Sequence, residues 1–142
     1  MAGTKKIVMT FGAFDGIHLG HIHYLKEAKK LGNYLIVAIA RDNSKWTLPK
    51  RYNLPERERQ KLVESLGIAD KVIMGSTTDA LEKIKKLKPD ILALTPYHPV
   101  DEIVLRNELK SNNIKSKVVM LNIYKKAIYD KLFNGESKKV SF

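Results

Sequence analysis

The chain has 142 residues, 44% of them hydrophobic, which predicts one domain with a buried core. No apolar run approaches the roughly 20 residues of a membrane-spanning helix, and the absence of cysteine excludes disulfides and thiolate chemistry, so we expect a cytoplasmic protein without a membrane partner. The formal net charge of +11 favours anionic partners, such as nucleotides, phosphorylated small molecules or nucleic acid.

Apolar strand patterns alternate with amphipathic helix patterns along the chain. The strands are predicted at residues 5–11, 34–40, 71–75, 91–94 and 117–121. The helices are predicted at residues 19–31, 55–66, 80–87 and 99–113. Five strands joined by helical crossovers predict an α/β fold, a Rossmann-like doubly wound parallel sheet. We predict a single domain over residues 1–142, in which the segment 122–142 is assigned only loosely.

The stretch TFGAFDGIHLGHIHYL, residues 10–25, is the clearest functional signal. A buried strand ends at Gly12, a loop follows, and His18 and His21 open the first helix. The unpaired amides and the positive dipole end of such a helix bind phosphate. Imidazoles three residues apart lie on neighbouring faces of the first turn. We therefore predict that His18 and His21 are catalytic and act on a bound phosphate.

Two other interpretations of these histidines stay open. They could only cap the helix, or His18, His21, His23 and Asp15 could form a zinc site, because imidazole and carboxylate both ligate zinc. The coincidence of strand, glycine loop, histidine pair and helix start favours the phosphate site.

The segment RDNSKWTLPKRYNL, residues 41–54, is the second signal because it has neither helix nor strand periodicity. Loops of this length in compact domains are usually functional, and this one carries four basic residues against one acid. We predict a lid over a bound triphosphate, with Lys45, Lys50 and Arg59 as phosphate ligands. The alternative is an ordinary surface loop.

Nucleotidyl transfer fits these residues, because it needs positioning and charge neutralisation more than a general base. A phosphate nucleophile is already charged at neutral pH. Cationic imidazoles at His18 and His21 would stabilise the transferred phosphate, while amides near Ala13 and Phe14 bind the triphosphate. A divalent cation, with Mg²⁺ expected, would accompany the nucleotide.

The motif GAFDGIHLGH, residues 12–21, resembles the G-[TA]-F-D-x-x-H-x-G-H signature of cytidylyltransferase-like nucleotidyltransferases. With its continuation to Gly32 the chain is most similar to archaeal FAD synthases. The resemblance implies transfer of AMP from ATP to FMN, giving FAD and pyrophosphate. Residues and resemblance together predict a nucleotide-binding set of Ala13, Phe14, Asp15, His18, Leu19, Gly20, His21, Lys45, Lys50, Arg59, Tyr97 and Tyr124.

The resemblance is close over residues 5–95 and looser beyond. Where the family has a Gly-Tyr-Asp-like site, this chain reads TPYH at residues 95–98, with Tyr97 in place of the Asp. A cytidylyltransferase using CTP and glycerol 3-phosphate, or another phosphorylated alcohol, is the alternative, although those enzymes carry an Arg-Thr-x-Gly-Ile-Ser-Thr tail that this chain lacks. A catalytically silent nucleotide-binding protein is the third hypothesis, and the intact histidine pair argues against it.

The predicted partners are therefore ATP or CTP, together with FMN or another phosphorylated small molecule. Nucleic acid is disfavoured, because the lysines are spread along the chain and no nucleic-acid-binding motif accompanies them. The segment 122–142 is predicted either to close over the ligand or to form a homodimer contact.

Overall fold

The computed structural model describes residues 4–43, 52–96, 98 and 100–128. Within these ranges the chain forms five strands and four helices in strict alternation. The elements are β1 (Ile7–Gly12), α1 (Leu19–Lys29), β2 (Tyr34–Ile39), α2 (Glu56–Ser65), β3 (Lys71–Met74), α3 (Ala80–Leu87), β4 (Ile91–Leu94), α4 (Glu102–Ser111) and β5 (Lys117–Met120). Residues 1–3, 44–51, 97, 99 and 129–142 lie outside the described part, and with them Lys45, Lys50, Tyr97 and most of the predicted lid.

The five strands form one parallel sheet in the order β3-β2-β1-β4-β5. The chain moves outward from β1 to β2 and β3, then returns to the other side of β1 with β4 and β5. The predicted doubly wound fold is therefore confirmed, and its switch point lies between β1 and β4. Ligands of such sheets bind beyond the carboxyl ends of the strands, at this point.

Helices cover both faces of the sheet, because alternate residues of each strand point to opposite sides. On one face Val8 and Leu35 pack with Leu25 of α1 and Val63 of α2. On the other face Met9 and Ile36 pack with residues of α3 and α4, represented by Ile84 and Leu105. Buried strands of this kind read as continuous apolar runs, which is why the sequence revealed them.

The predicted element boundaries agree with the structure to within a few residues. The largest difference is at α4, which begins at Glu102 rather than at residue 99. The Asp101 carboxylate accepts hydrogen bonds from the amides of Ile103 and Val104, so it caps the helix at that point. None of the helices in the described ranges is long and apolar enough to cross a membrane.

Candidate active site

The loop that follows β1 is held in one conformation by a close contact between Gly12 and Phe14. A Cβ added to Gly12 would lie 2.5 Å from Cε2 of Phe14, so a larger residue there would force the Phe14 ring to shift. Phe14 has a φ of 54°, a left-handed conformation that is strained for a bulky residue. Its ring is only 2% exposed, and burial of the ring offsets that strain. The loop amides are therefore presented in a preorganised arrangement.

His18 and His21 cap α1 with their own side chains. His18 is the N-cap residue, and its Nδ1 accepts a hydrogen bond from the amide of Gly20 at 3.1 Å. Nδ1 of His21 accepts from the amide of His18 at 3.2 Å. The two ring centroids lie 3.9 Å apart. The capping interpretation is thus correct as geometry, and the hydrogen bonds that form the cap use Nδ1 of each ring.

This capping fixes the proton on the other nitrogen of each ring. A nitrogen that accepts a hydrogen bond carries no proton, so a neutral imidazole here must be protonated at Nε2. Burial lowers the pKa of His18. Burial, and then the neighbouring rings of His18 and His98, lower the pKa of His21 to about 4. The lowered pKa values favour the neutral form of both rings, whereas the sequence analysis expected cationic imidazoles.

The N-terminus of α1 keeps its positive electrostatic character. The first turn of the helix contains no acidic residue. The nearby Asp15 carboxylate accepts hydrogen bonds from the amides of Asn53 and Leu54, at 2.6 and 2.8 Å. It therefore ties the loop to the start of α2. The positive end of the helix dipole is therefore not offset by an acid of the same turn, which suits an anion.

Arg59 lies elsewhere than we expected for a phosphate ligand. Its side chain is fully buried, with 0% exposure. Nη1 donates to the carbonyls of Ala13 and Ala40, Nε donates to the carbonyl of Leu54, and Nη2 contacts Asp42 at 2.6 Å. The guanidinium therefore holds the loop after β1 against the end of β2 and the start of α2 from the protein side.

A reciprocal contact joins Asp42, near the start of the segment that we predicted to be a lid, to Glu56, which follows that segment at the start of α2. The Asp42 carboxylate accepts from the amide of Glu56 at 3.0 Å, and the Glu56 carboxylate accepts from the amide of Asp42 at 2.9 Å. The hydrogen bond from the Asp42 amide is the main reason why the pKa of Glu56 is lowered. A cavity of about 270 Å³ adjoins this contact and is lined by Asp42, Tyr52, Asn53, Leu54 and Pro55.

Two side chains that the sequence analysis did not single out lie at the switch point. The Tyr24 hydroxyl donates to the carbonyl of Ala93 at 2.6 Å. Nε2 of His98 lies 2.6 Å from the carbonyl of Phe11, and the amide of Thr95 donates to Nδ1 of His98 at 3.0 Å. The sequence analysis gave Tyr24 no role, and His98 was noticed only as part of a divergent motif. No local pattern marks either residue.

His23 and Asp15, which belong to the alternative zinc site, contact different parts of the protein. His23 packs against Tyr124, with ring centroids 4.8 Å apart, while Asp15 contacts the start of α2. In the ranges that the structure describes, no group of three or more His, Cys, Asp or Glu residues could hold a metal ion. Leu19, between the two histidines in the first turn of α1, is 58% exposed.

The fold is that of a doubly wound α/β protein, and the histidine pair lies at the N-terminus of the helix that follows its first strand. A family model described as cytidylyltransferase-like matches residues 9–132, and the chain belongs to this family. The predicted family is thereby confirmed, and the chain is a nucleotidyltransferase.

Within that family the similar curated proteins include several FAD synthases. That of Ferroglobus placidus is 44% identical over 117 residues, which cover 82% of this chain and 76% of the relative. That of Archaeoglobus fulgidus is 41% identical over 115 residues, covering 81% of this chain and 83% of the relative. The predicted resemblance to archaeal FAD synthases is therefore confirmed at the level of sequence.

Solved structures show the same architecture. A crystal structure from Thermoplasma volcanium, described as a lipopolysaccharide core biosynthesis protein, matches with a TM-score of 0.81 and 37% identity, covering 86% of this chain and all of that one. A pantoate-beta-alanine ligase from Francisella tularensis matches with a TM-score of 0.61 and 16% identity, covering 85% of this chain and 60% of that one. The second likeness concerns the fold alone.

Proposed function

We infer that this protein is an FMN adenylyltransferase, which transfers AMP from ATP to FMN and releases pyrophosphate. The observation that carries this inference is the identity of about two residues in five to FAD synthases, over four fifths of the chain. The histidine pair at the N-terminus of α1, beside the switch point of the sheet, supplies chemistry that suits the reaction.

The proposed reaction is an in-line displacement at the α-phosphorus of ATP. An oxygen of the FMN phosphate forms the new P–O bond, while the bond from the α-phosphorus to the bridging oxygen breaks and pyrophosphate leaves. The FMN phosphate is already an anion at neutral pH, so no residue needs to remove a proton from it. The protein's task is to align the two phosphates and to stabilise the charge that moves onto the leaving group.

We propose that His18 and His21 donate from Nε2 to the phosphate oxygens on which this charge develops. Capping holds both rings with Nε2 protonated, so the donors are set before the nucleotide arrives. The amides near Ala13 and Phe14, with the N-terminus of α1, would bind the triphosphate. Once the triphosphate is bound, its negative charge would raise the pKa of both imidazoles and strengthen them as donors.

A divalent cation is expected to arrive with the nucleotide. The described ranges contain no cluster of three possible metal ligands, so the described residues alone do not suit the binding of a cation. Mg²⁺ in nucleotide enzymes is commonly bound through substrate phosphates and waters with one or two carboxylates, and the donor set here fits that pattern better than a closed cage. The cation would shield the triphosphate, while the residues above bind and orient it.

Three predicted nucleotide ligands, Lys45, Lys50 and Tyr97, lie outside the described residues and stay predictions. Tyr124 is proposed as a nucleotide contact on the resemblance alone. The single-domain organisation, the cytoplasmic location and a possible homodimer contact are likewise proposals.

A pyrophosphate-release assay tests this function directly. ATP and CTP are each supplied with FMN, glycerol 3-phosphate or a sugar phosphate, in the presence of Mg²⁺, and FAD is identified by chromatography. We expect turnover only with ATP and FMN, and a doubly substituted His18→Ala/His21→Ala protein serves as the inactive control. Turnover with CTP and glycerol 3-phosphate would establish the cytidylyltransferase alternative, and no turnover with any pair would support a silent nucleotide-binding protein.

A further inference from the structure

The strands β1 and β4 pair over only a short length. Their register runs through Val8 with Ile91 and Met9 with Leu92. Toward their carboxyl ends the strands part, although backbone carbonyls still point into the gap between them. In a parallel sheet, successive backbone carbonyls of one strand point alternately toward the strand on one side and the strand on the other. Those of Ile7 and Phe11 face β4, as the bond from the amide of Asp90 to the carbonyl of Ile7 shows.

The same alternation directs the carbonyl of Ala93 toward β1. The carbonyls of Asp90 and Leu94 accept from the amides of Lys117 and Leu121 on the β5 side, so the carbonyl of Ala93, at an odd position, faces the other way. The gap is therefore lined by two carbonyls, one from each strand. A buried carbonyl without a hydrogen-bond donor is costly.

Side chains replace the missing strand pairing at both carbonyls. The Tyr24 hydroxyl donates to Ala93, and His98 contacts Phe11. A carbonyl only accepts hydrogen bonds, so Nε2 of His98 must carry the proton, and Nδ1 accepts from the amide of Thr95. Burial raises the pKa of the Tyr24 hydroxyl, which keeps it a donor. We call Tyr24 and His98 the switch-point bracket.

The two members of the bracket also contact each other. The Tyr24 hydroxyl lies 3.4 Å from Nε2 of His98, and the rings meet edge to face with centroids 5.4 Å apart. Tyr24 lies three residues after His21 on α1, so the bracket links the helix that carries the histidine pair to the loop after β4. Phe11, which the bracket holds from the other side, immediately precedes Gly12 of the phosphate-binding loop.

We propose that Tyr24 and His98 are positioning residues, which keep β1 and β4 apart at the switch point and so set the width of the nucleotide crevice. This inference rests on the proposed adenylyltransferase function. Without the bracket, the Phe11 and Ala93 carbonyls must find other donors, and the two strand ends must shift to reach them. Only a fraction of the molecules would then have the arrangement that binds nucleotide. The apparent affinity for nucleotide would be reduced in proportion to that fraction.

Substitutions at His98 separate its two hydrogen bonds. His98→Gln keeps an N–H at the same number of bonds from Cβ as Nε2, whereas His98→Asn keeps an acceptor in place of Nδ1 and loses the donor to Phe11. We expect His98→Asn and His98→Ala to raise the Kd of Mg-ATP, measured by calorimetry, about tenfold, and His98→Gln to stay within about threefold of wild type. Tyr24→Phe, which keeps the ring, should raise the Kd in the same direction.

The matched control is Ser116→Ala. The Ser116 hydroxyl donates to the carbonyl of Pro89, which lies just before β4, at the opposite end of the strand. Like the bracket, it is a side-chain hydrogen bond to a backbone carbonyl. We expect Ser116→Ala to lower the melting temperature without changing the Kd of Mg-ATP.

The readouts distinguish failure of this inference from failure of the proposed function. FAD formation by the wild-type protein tests the function, whereas the Kd series tests the bracket even if FMN is not the acceptor. If His98→Asn and Tyr24→Phe bind Mg-ATP with the wild-type Kd but have a lowered melting temperature, the bracket has only a structural role. That result would overturn the inference. Equal losses in His98→Gln and His98→Asn would also overturn it, because the retained donor would then be irrelevant. A wild-type protein that does not bind Mg-ATP would overturn both proposals.

Discussion

At the residue scale, His18 and His21 each divide their two ring nitrogens between different tasks. Nδ1 accepts a backbone amide at the start of α1, and Nε2 keeps the ring proton. Usual capping boxes achieve the first task with Ser or Thr at the N-cap and Glu or Gln three residues later. The Ser, Thr and Glu side chains have no N–H group, whereas a neutral imidazole that accepts at Nδ1 carries an N–H at Nε2. The pair thus caps the helix, and in the proposed reaction the same side chains would donate to a phosphate.

Separating these two tasks is the first prediction. His18→Asn should keep the N-cap and lose Nε2, because Asn is among the best N-cap residues. We expect its kcat for FAD formation to fall by about 10² to 10³, with little change in the free energy of unfolding. His18→Ala should lose similar activity and also about 1 kcal/mol of stability. Wild-type turnover in His18→Asn would show that the imidazole only caps the helix.

The second prediction concerns pH and stability at His21. Its folded-state pKa is lowered to about 4 from an ordinary value of 6.5, so the unfolded chain binds the proton more readily. Its contribution to stability should be complete above pH 6.5 and decline as the pH falls toward 4.

Urea unfolding at intervals between pH 7.5 and pH 4 measures this contribution. A His21→Gln variant is the control, because it cannot titrate, and its stability should depend less steeply on pH in this range. Parallel pH profiles of the two proteins would contradict the lowered pKa.

At the element scale, the loop after β1 is supported by α2 rather than by its own residues alone. Arg59 of α2 donates to carbonyls on three segments, and Asp15 of the loop accepts from the amides that precede α2. The planar guanidinium suits this task because its five N–H donors diverge in a fixed geometry. The phosphate-binding loop and the start of α2 therefore form one hydrogen-bonded unit.

The third prediction distinguishes support by Arg59 from direct phosphate contact. Arg59→Lys should lower the free energy of unfolding by on the order of 3 kcal/mol, because a single ammonium cannot satisfy the carbonyls that the guanidinium serves. It should also raise the KM for ATP, and that increase should persist as salt is added, since buried interactions are screened less than exposed ones.

Arg57→Ala is the matched control for Arg59. Arg57 lies on the exposed side of α2, where Nη1 donates to Gln60. Its loss should leave both stability and KM close to wild type. A KM increase in Arg59→Lys that disappears at high salt, with unchanged stability, would restore the direct phosphate contact that the sequence suggested.

At the scale of the whole molecule, the site depends on the position of β1 at the centre of the sheet. On one side, the carboxyl end of β1 borders the end of β2, where the amide of Ala40 donates to the carbonyl of Gly12. On the other side, it borders the gap toward β4, which the switch-point bracket fills. The loop, the N-terminus of α1 and the end of β4 can meet only because the winding of the sheet reverses there. The proposed chemistry is therefore a property of the topology as much as of the motif.

The order of the elements and the phosphate-binding motif could be predicted from the amino-acid sequence by itself. Buried parallel strands appear as short apolar runs, and helix ends are marked by local signals such as Asp79 and Pro55. The signature at residues 12–21 is likewise contiguous, so the family and the histidine pair could be recognised before any contact was known. Local physics governs each of these features.

Only the tertiary structure decided which side chains support the site and in what charge state. Arg59 is 46 residues from the carbonyl of Ala13 that it holds, and His98 is 87 residues from Phe11. Neither partnership leaves a trace in the local pattern, because each depends on which segments the sheet brings together. The neutral form of His21 has the same origin. Burial and the rings of His18 and His98 lower its pKa, and desolvation arises only when the chain has packed around the group.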